Sequence, residues 1–481
     1  MGKMRHILLT IAALIGLITS GCINDAISTS SSDVLTFSRD TVNFDTVFTG
    51  LKTPTARLVV ANRASKGIVI SSIRFARPET EFRVNVDGVS GMEFRDVEIR
   101  AKDSIYVFIE CRLPETASKE PALTEDNLQF VTNGVTQSVR VEAYGQNVVR
   151  LRDHEFTEGE RLTAELPYVV FGEATVPEGV TLGIDPGAKL LFHDGAHLLV
   201  KGSLEAVGAP GKMIDMRGDR LDNVLPDVGY DILAGQWRGI TIAPESFGNR
   251  MEYVDMRSTT DGLRVDSCAD TSRSKLFLRN SWLHNSQSTV LESLYARVDA
   301  YGVCFSESAG PVVRLVGGDH AFNQCTIANN YLFSAVYGPL LSLGHCVPED
   351  ALENGLPLMR ARFSNSIIYG LSGDINTGDL TGSDVYFDYV SFKSTGSDDD
   401  WFRNCLWDTD PMFYTDRPIY YFNYRLKPDS PVREAGSPEL VAPESAVDMD
   451  GLDRLSFGYP SLGAYQFDPS APQPDDENQP E

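Results

Sequence analysis

The sequence predicts an all-β protein, with a β-sandwich in its first third and a long solenoid of stacked parallel strands after it. Three observations carry the prediction. The 481 residues include 40 Gly and 25 Pro, so turns are frequent. Up to about residue 146, apolar and polar residues alternate in short runs broken by turn signals, the rhythm of a sandwich. From Asn280 onward, segments that open on Asn or Gly recur about every 21 to 22 residues, a period that belongs to stacked coils.

The first element reads as a targeting segment. Lys3, Arg5 and His6 precede the apolar run Ile7 to Ile18, which is too short to span a bilayer as a mature helix. Small residues and a cysteine follow, and Ser20-Gly21-Cys22 resembles the lipobox of bacterial lipoproteins. That resemblance implies a signal peptide over 1–21, cleavage before Cys22 and lipid attachment on Cys22. Residues 22–34, with the Ser/Thr-rich stretch Ser28 to Ser32, are expected to be a flexible tether.

Residues 35–148 form the expected sandwich. Its pieces run Phe44-Asp45-Thr46-Val47-Phe48-Thr49-Gly50, Leu58-Val59-Val60-Ala61-Asn62, Ile70-Ser71-Ser72-Ile73, Asp103 to Ile109 and Phe130-Val131-Thr132-Asn133. This order resembles the hydin-like immunoglobulin domains that precede many exported bacterial domains, which implies a spacer or adhesive module and no specific chemistry.

Residues 149–467 form the expected solenoid. Val176 to Leu190 and Leu198 to Gly208 place short apolar runs between glycine turns, as a three-sided coil requires. They resemble the first coils of right-handed parallel β-helices, the pectate-lyase-like solenoids, and Gly235-Gln236-Trp237-Arg238-Gly239-Ile240 resembles a segment that often follows them. The period is carried by Asn280-Ser281-Trp282-Leu283, Gly302-Val303-Cys304-Phe305, Asn323-Gln324-Cys325-Thr326, Gly344-His345-Cys346-Val347 and Asn365-Ser366-Ile367-Ile368, with an echo at Asn404-Cys405-Leu406-Trp407. Asn or Gly at each start suits a corner that needs positive φ. Asp448-Met449-Asp450-Gly451, Arg454 and Gly463-Ala464-Tyr465 resemble the closing segment of bacterial right-handed β-helix lipoproteins and imply a cap over the open end of the last coil. Residues 468–481 read as a disordered, Pro- and acid-rich tail.

Charge excludes some functions. With 42 Lys and Arg against 67 Asp and Glu the net charge is -25, which disfavours nucleic acid and electrostatic docking on anionic lipid. No cysteine pair has zinc-like spacing, and neither a metal nor a cofactor is implied. Cys304, Cys325 and Cys346 read as a buried ladder, or as partners of a disulfide if stacked. Asp448, Asp450 and Asp453 have the alternation of a calcium loop without its full pattern, and Asp450 is expected to pair with Arg454 or cap a turn. Asp374, Asp379, Asp384, Asp388 and Asp398-Asp399-Asp400 are the stretch where paired carboxylates would act on a glycosidic bond, or else are solvated loop charges. Rings crowd the last third, from Tyr386 and Phe387 through Trp401 and Trp407 to Tyr424, and suit either a sugar-stacking face or the packing of coils.

These readings assign no catalytic residue. They point to an exported envelope lipoprotein, anchored in the outer membrane by its N-terminal lipid, that binds glycan or another polymer without catalysis. A polysaccharide lyase or glycoside hydrolase on the same scaffold is the alternative, and a structural or adhesin-like envelope protein a third. The insertions Leu221 to Gly235 and Cys346 to Leu358 are where a site would be built.

Overall fold

The computed structural model describes residues 26–225, 228–345, 356–378 and 380–470, so the signal segment, Cys22, Cys346 and Asp379 lie outside the described residues. The chain divides into two units between Asn147 and Val148.

The first unit is a two-sheet sandwich. A five-stranded and a six-stranded sheet enclose one core, to which Leu58, Val60, Phe82 and Val107 contribute from one side and Val42, Ile70, Phe130 and Val141 from the other. Strand Ser104–Cys111 shows why: Ile105, Val107, Ile109 and Cys111 are buried, while Tyr106 and Phe108 alternate outward. The hairpin Ala122–Thr132 and Val135–Gln146 turns on Asn133 and Gly134, at φ 50° and 81°, the pair of positive angles that keeps a two-residue turn in step with strand twist. The expected tether is partly built into this unit. Ile27 bridges to Gly67, Ser28 is buried, and Asn133 Nδ2 donates to the Ser30 carbonyl at 3.0 Å. Short polar side chains here find backbone partners, which their composition alone does not reveal.

The second unit is a parallel β-solenoid with three strands per coil. On one face Tyr168–Phe171, Lys189–Phe192, Ile214–Gly218, Val254–Thr259, Trp282–Ser286, Cys304–Ser308 and Thr326–Asn329 pair in parallel, one coil after another. Two further faces repeat the pattern, for example Glu173–Val176 with His197–Val200 and Thr181–Ile184 with Ser203–Val207. Inward residues merge into one continuous apolar core. Phe322, Phe363, Phe387 and Phe402 stack in series with centroids 4.9 Å apart, which is the spacing of neighbouring strands. Trp237 lies 3.9 Å from Phe192 at 6°, fully buried, and donates Nε1–H to the Arg257 carbonyl at 2.8 Å.

The corner row is real but shifted from the sequence reading. Tyr253, Asn280, Gly302, Gln324, Asn365 and Tyr389 hold positive φ, and the strands beyond them share one register. Gln324 takes the place expected of Asn323. One long coil joins Gln324 to Asn365, so Gly344 ends strand Leu341–Gly344 on another face and starts no coil. Cys304 therefore aligns with Trp282 and Thr326, not with Cys325; Cys325 packs in the interior. The described cysteines are all free, so Cys304 and Cys325 form neither the stacked ladder nor a disulfide.

The closing segment also differs from expectation. Sequence reasoning places it over the open end, whereas its hydrogen bonds seat it along a side wall, against the corner row. Asn280 Nδ2 donates to Val447 and Asp448 carbonyls, Asn323 Nδ2 to Leu440, and Asn365 Nδ2 to Ser437. Arg454 is fully buried and donates to the carbonyls of Ser445, Gly463 and Ala464 and to Gln324 Oε1. Corner amides carry spare donors and acceptors, and a segment rich in Pro and Gly exposes carbonyls to meet them.

Candidate functional site

Strand alternation on the face that carries Val254–Thr259 creates the site. Val254 and Met256 point into the core, which sends Asp255 and Arg257 outward. One coil on, Leu283 points in, and Trp282 and His284 point out in register with Asp255 and Arg257. On the next coil Phe305 points in and Ser306 out, followed by Glu307. Asp255, Arg257, Trp282, His284 and Glu307 floor a cavity of about 420 Å³. Three loops wall it: the insertion at Val228 to Ile232, the loop Tyr331 to Phe333, and Ile419 to Phe422 of the return segment. Arg417 pins two of these walls together by donating to the Asn330 and Tyr331 carbonyls at 2.9 and 3.1 Å. Phe333 and Tyr420 then face each other at 6.3 Å and 12°.

The floor is a charge network. Arg257 meets Asp215 at 2.7 Å, Asp231 at 2.9 Å and Asp255 at 2.9 Å, while Arg217 meets Asp231 at 2.9 Å. Burial alone would raise the pKa of Asp255, yet Arg257 and His284 outweigh it and hold the carboxyl down at about 2. Burial pushes Asp215 up against the pull of Arg257, and it lowers Arg217. His284 places Nε2 at 3.0 Å from Asp255 Oδ1 and stacks its ring on Trp282 at 4.0 Å and 16°. Trp282 Nε1 in turn donates to Ser306 Oγ at 2.8 Å, so ring and imidazole are both fixed.

Glu307 is different from its neighbours. Its side chain is buried, its Oε1 accepts the Tyr424 hydroxyl, and its Oε2 has no partner among the described residues. Burial raises its pKa, opposed by hydrogen bonds from Ser306 and Tyr424. Chemically, the cavity combines an ionised carboxylate that orients an imidazole, a buried carboxyl whose pKa is raised, and several aromatic rings.

The residues singled out from sequence are largely elsewhere. Asp374 accepts Ser394 N–H at 2.7 Å, Asp384 pairs with Arg362, Asp388 accepts Asn404 at 3.0 Å, and Asp398 and Asp399 receive turn N–H groups around Trp401 and Cys405. None of them lines the cavity. Asp448 accepts the N–H groups of Asp450, Leu452 and Gln466, and Asp450 pairs with Arg425 at 2.7 Å, not with Arg454. No group of three or more potential ligands that could hold a metal occurs among the described residues. Of the rings, Phe387, Phe402 and Trp407 pack coils, while Tyr420, Tyr421 and Phe422 line the cavity and Tyr424 holds Glu307. Sequence reasoning missed Asp255, Arg257, His284 and Glu307. The signal present was a pair of outward dipeptide alternations, Asp255-Met256-Arg257 and Trp282-Leu283-His284, one coil apart.

No family model matches the chain, and no curated protein matches it. Solved structures that match include a protein of unknown function from Porphyromonas gingivalis W83, at 13% identity and TM-score 0.18 over 26% of this chain and 60% of that one. A family 123 glycoside hydrolase from Clostridium perfringens matches at 9% identity and TM-score 0.17, over 24% of this chain and 26% of that one. The VesB protease of Vibrio cholerae matches at 12% identity and TM-score 0.18, over 24% and 33%. The chain thus spans less than two thirds of each, and likenesses this slight speak for neither fold nor activity. No described helix is long and apolar enough to cross a membrane.

Proposed function

We propose that this chain is an exported, lipid-anchored envelope protein, tethered through Cys22, whose right-handed, pectate-lyase-like β-helix binds a glycan in the cavity floored by Asp255, His284 and Glu307. The immunoglobulin-like reading of the sandwich belongs to the same proposal and gives it the role of a spacer. One observation carries the ligand class: planar rings of Trp282, Tyr331, Phe333, Tyr420 and Tyr421 surround a floor of fixed hydrogen-bonding groups. Rings stack on the apolar faces of sugars, and the polar floor reads hydroxyls. The volume suits a few sugar units of a chain lying along the wall.

The test is a panel of cell-wall and plant polysaccharides presented to the mature protein without its lipid cysteine, beside a variant carrying Phe333→Ala and Tyr420→Ala. Binding of a glycan by the parent, lost in the variant, supports the reading. Silence across the panel sinks the ligand, and unchanged binding in the variant sinks the location.

A further inference from the structure

This inference rests on the glycan-site reading and concerns what the cavity does to its ligand. Ser258, Asn285 and Glu307 stack on successive coils, with φ of 68°, 59° and 51°. Asn enters left-handed backbone easily and serine is small; a buried glutamate there is strained, and such strain persists where surrounding structure enforces it. The same carboxyl leaves Oε2 buried and unpartnered beside the cavity. Glu307 faces His284 from the preceding coil, Ser306 and Cys304 from its own strand, the Asn330 backbone and Tyr424 of the return segment, and it forms no ion pair with Lys or Arg among the described residues. Burial raises the pKa of this carboxyl and so favours the acid form that can donate a proton.

His284 complements it. Ionised Asp255, 3.0 Å from Nε2, favours the tautomer with its proton on that nitrogen and its lone pair on Nδ1, and the Trp282 face holds the ring in place. The floor also selects charge. Arg217 and Arg257 stand against Asp215, Asp231 and Asp255, two cations against three carboxylates, and each arginine is already paired. Among the described residues, no free cation remains in this network to take the carboxylate of an acidic sugar.

We propose that this cavity hydrolyses a glycosidic bond in a neutral glycan, with Glu307 as proton donor to the departing oxygen and His284, held by Asp255, as acceptor of a proton from the attacking water. The anomeric C–O bond breaks and its electron pair stays on the leaving oxygen, which takes the proton of Glu307. A water oxygen bonds to the anomeric carbon and its proton passes to His284 Nδ1. One water is consumed, two hydroxyl ends appear, and solvent returns the proton from imidazolium to the Glu307 carboxylate.

The experiment incubates the mature protein with β-glucan, xylan, mannan and galactan, and with polygalacturonate and alginate, reading binding and new chain ends in the same samples. New reducing ends from a neutral polysaccharide are expected. Glu307→Gln should lose about a hundredfold or more in rate. On an aryl glycoside of the same sugar with a nitrophenolate leaving group, which needs no proton, Glu307→Gln should retain most of its rate, whereas His284→Gln should be slow on both substrates. Equal losses of Glu307→Gln on the two substrates would overturn the donor role, and Glu307→Asn, whose side chain suits the backbone angle, repeats the comparison if the Gln variant folds poorly. Binding without new ends overturns this inference and leaves the glycan site standing. Unsaturated ends from the acidic polymers overturn the neutral substrate. No binding in any arm overturns both readings.

Discussion

Two rows of left-handed residues run along the solenoid, and they are finished in opposite ways. In the row Asn280, Gly302, Gln324 and Asn365, the return segment lies across the corners: its carbonyls take up the Asn280 and Asn365 amide donors, and its Arg454 donates to Gln324 Oε1. In the row Ser258, Asn285 and Glu307, Asn285 is met by the Asp231 and Ile232 carbonyls, but Glu307 is left with a bare Oε2. Asn280 Oδ1 and Gln324 Nε2 also lack partners, yet neither residue lines the cavity. The same backbone angle thus serves assembly in one row and a buried carboxyl beside the cavity in the other. Unpartnered polar atoms occur in both rows among the described residues, and of these three only the one on Glu307 belongs to a residue that lines the cavity.

The sharpest way to break the structural side is to remove Arg454. Arg454→Leu strands three buried carbonyls and the Gln324 amide, and should cost about 3–5 kcal/mol in urea unfolding. A loss below about 1 kcal/mol would show that the return segment is not held by this charge. Phe363→Ala, which opens the ring stack between Phe322 and Phe387, should cost a similar amount, about 3–5 kcal/mol. Gly302→Ala comes next. It places a Cβ at φ 66° and 2.3 Å from Asn280 Oδ1, for about 1–3 kcal/mol.

These three sites differ in how far the sequence exposed them. The solenoid was legible because Gly and Asn recur at corners and apolar residues recur between them. The period slipped by one at Asn323 because Asn and Gln are both acceptable at a corner, and only strand pairing decides between them. Gly344 kept the spacing by coincidence of an insertion. The closing segment was recognisable by its residues, but a side wall and an open end offer the same unpaired backbone groups, so its position was not. The site was hidden for a different reason. Asp255, His284 and Glu307 are 29 and 23 residues apart in sequence and meet only because coils stack in register. The acidic run from Asp374 to Asp400 was conspicuous instead, since turn-capping carboxylates look the same as reactive ones until their partners are known.

Two smaller effects sharpen the functional side. Asp255 is held at about 2 against an ordinary 3.8, so its stabilisation is present above about pH 4 and is lost as pH falls towards 2. Glu307 has its pKa raised, so the folded protein retains a proton that the unfolded chain releases, and stability falls as pH rises from 4.5 through the folded value. Unfolding midpoints measured across pH should therefore show a flatter acid limb in Asp255→Asn and a flatter fall above pH 4.5 in Glu307→Gln; unchanged profiles would remove the electrostatic account. Smallest of all, Glu307→Asn should raise stability at neutral pH by about 0.5–1 kcal/mol, because it relieves backbone strain and a buried ionisable group while losing the Tyr424 contact. Destabilisation by that variant would mean that Glu307 belongs with the structural row.

The most direct measurement of the central claim is tryptophan fluorescence during titration with neutral oligosaccharides. Trp282 lines the cavity, while Trp237 is sealed in the core and Trp401 and Trp407 lie towards the far end of the solenoid. The account predicts a saturable change that disappears in Trp282→Phe with the other three rings in place. A change that survives Trp282→Phe, or no change with any neutral glycan, would contradict it.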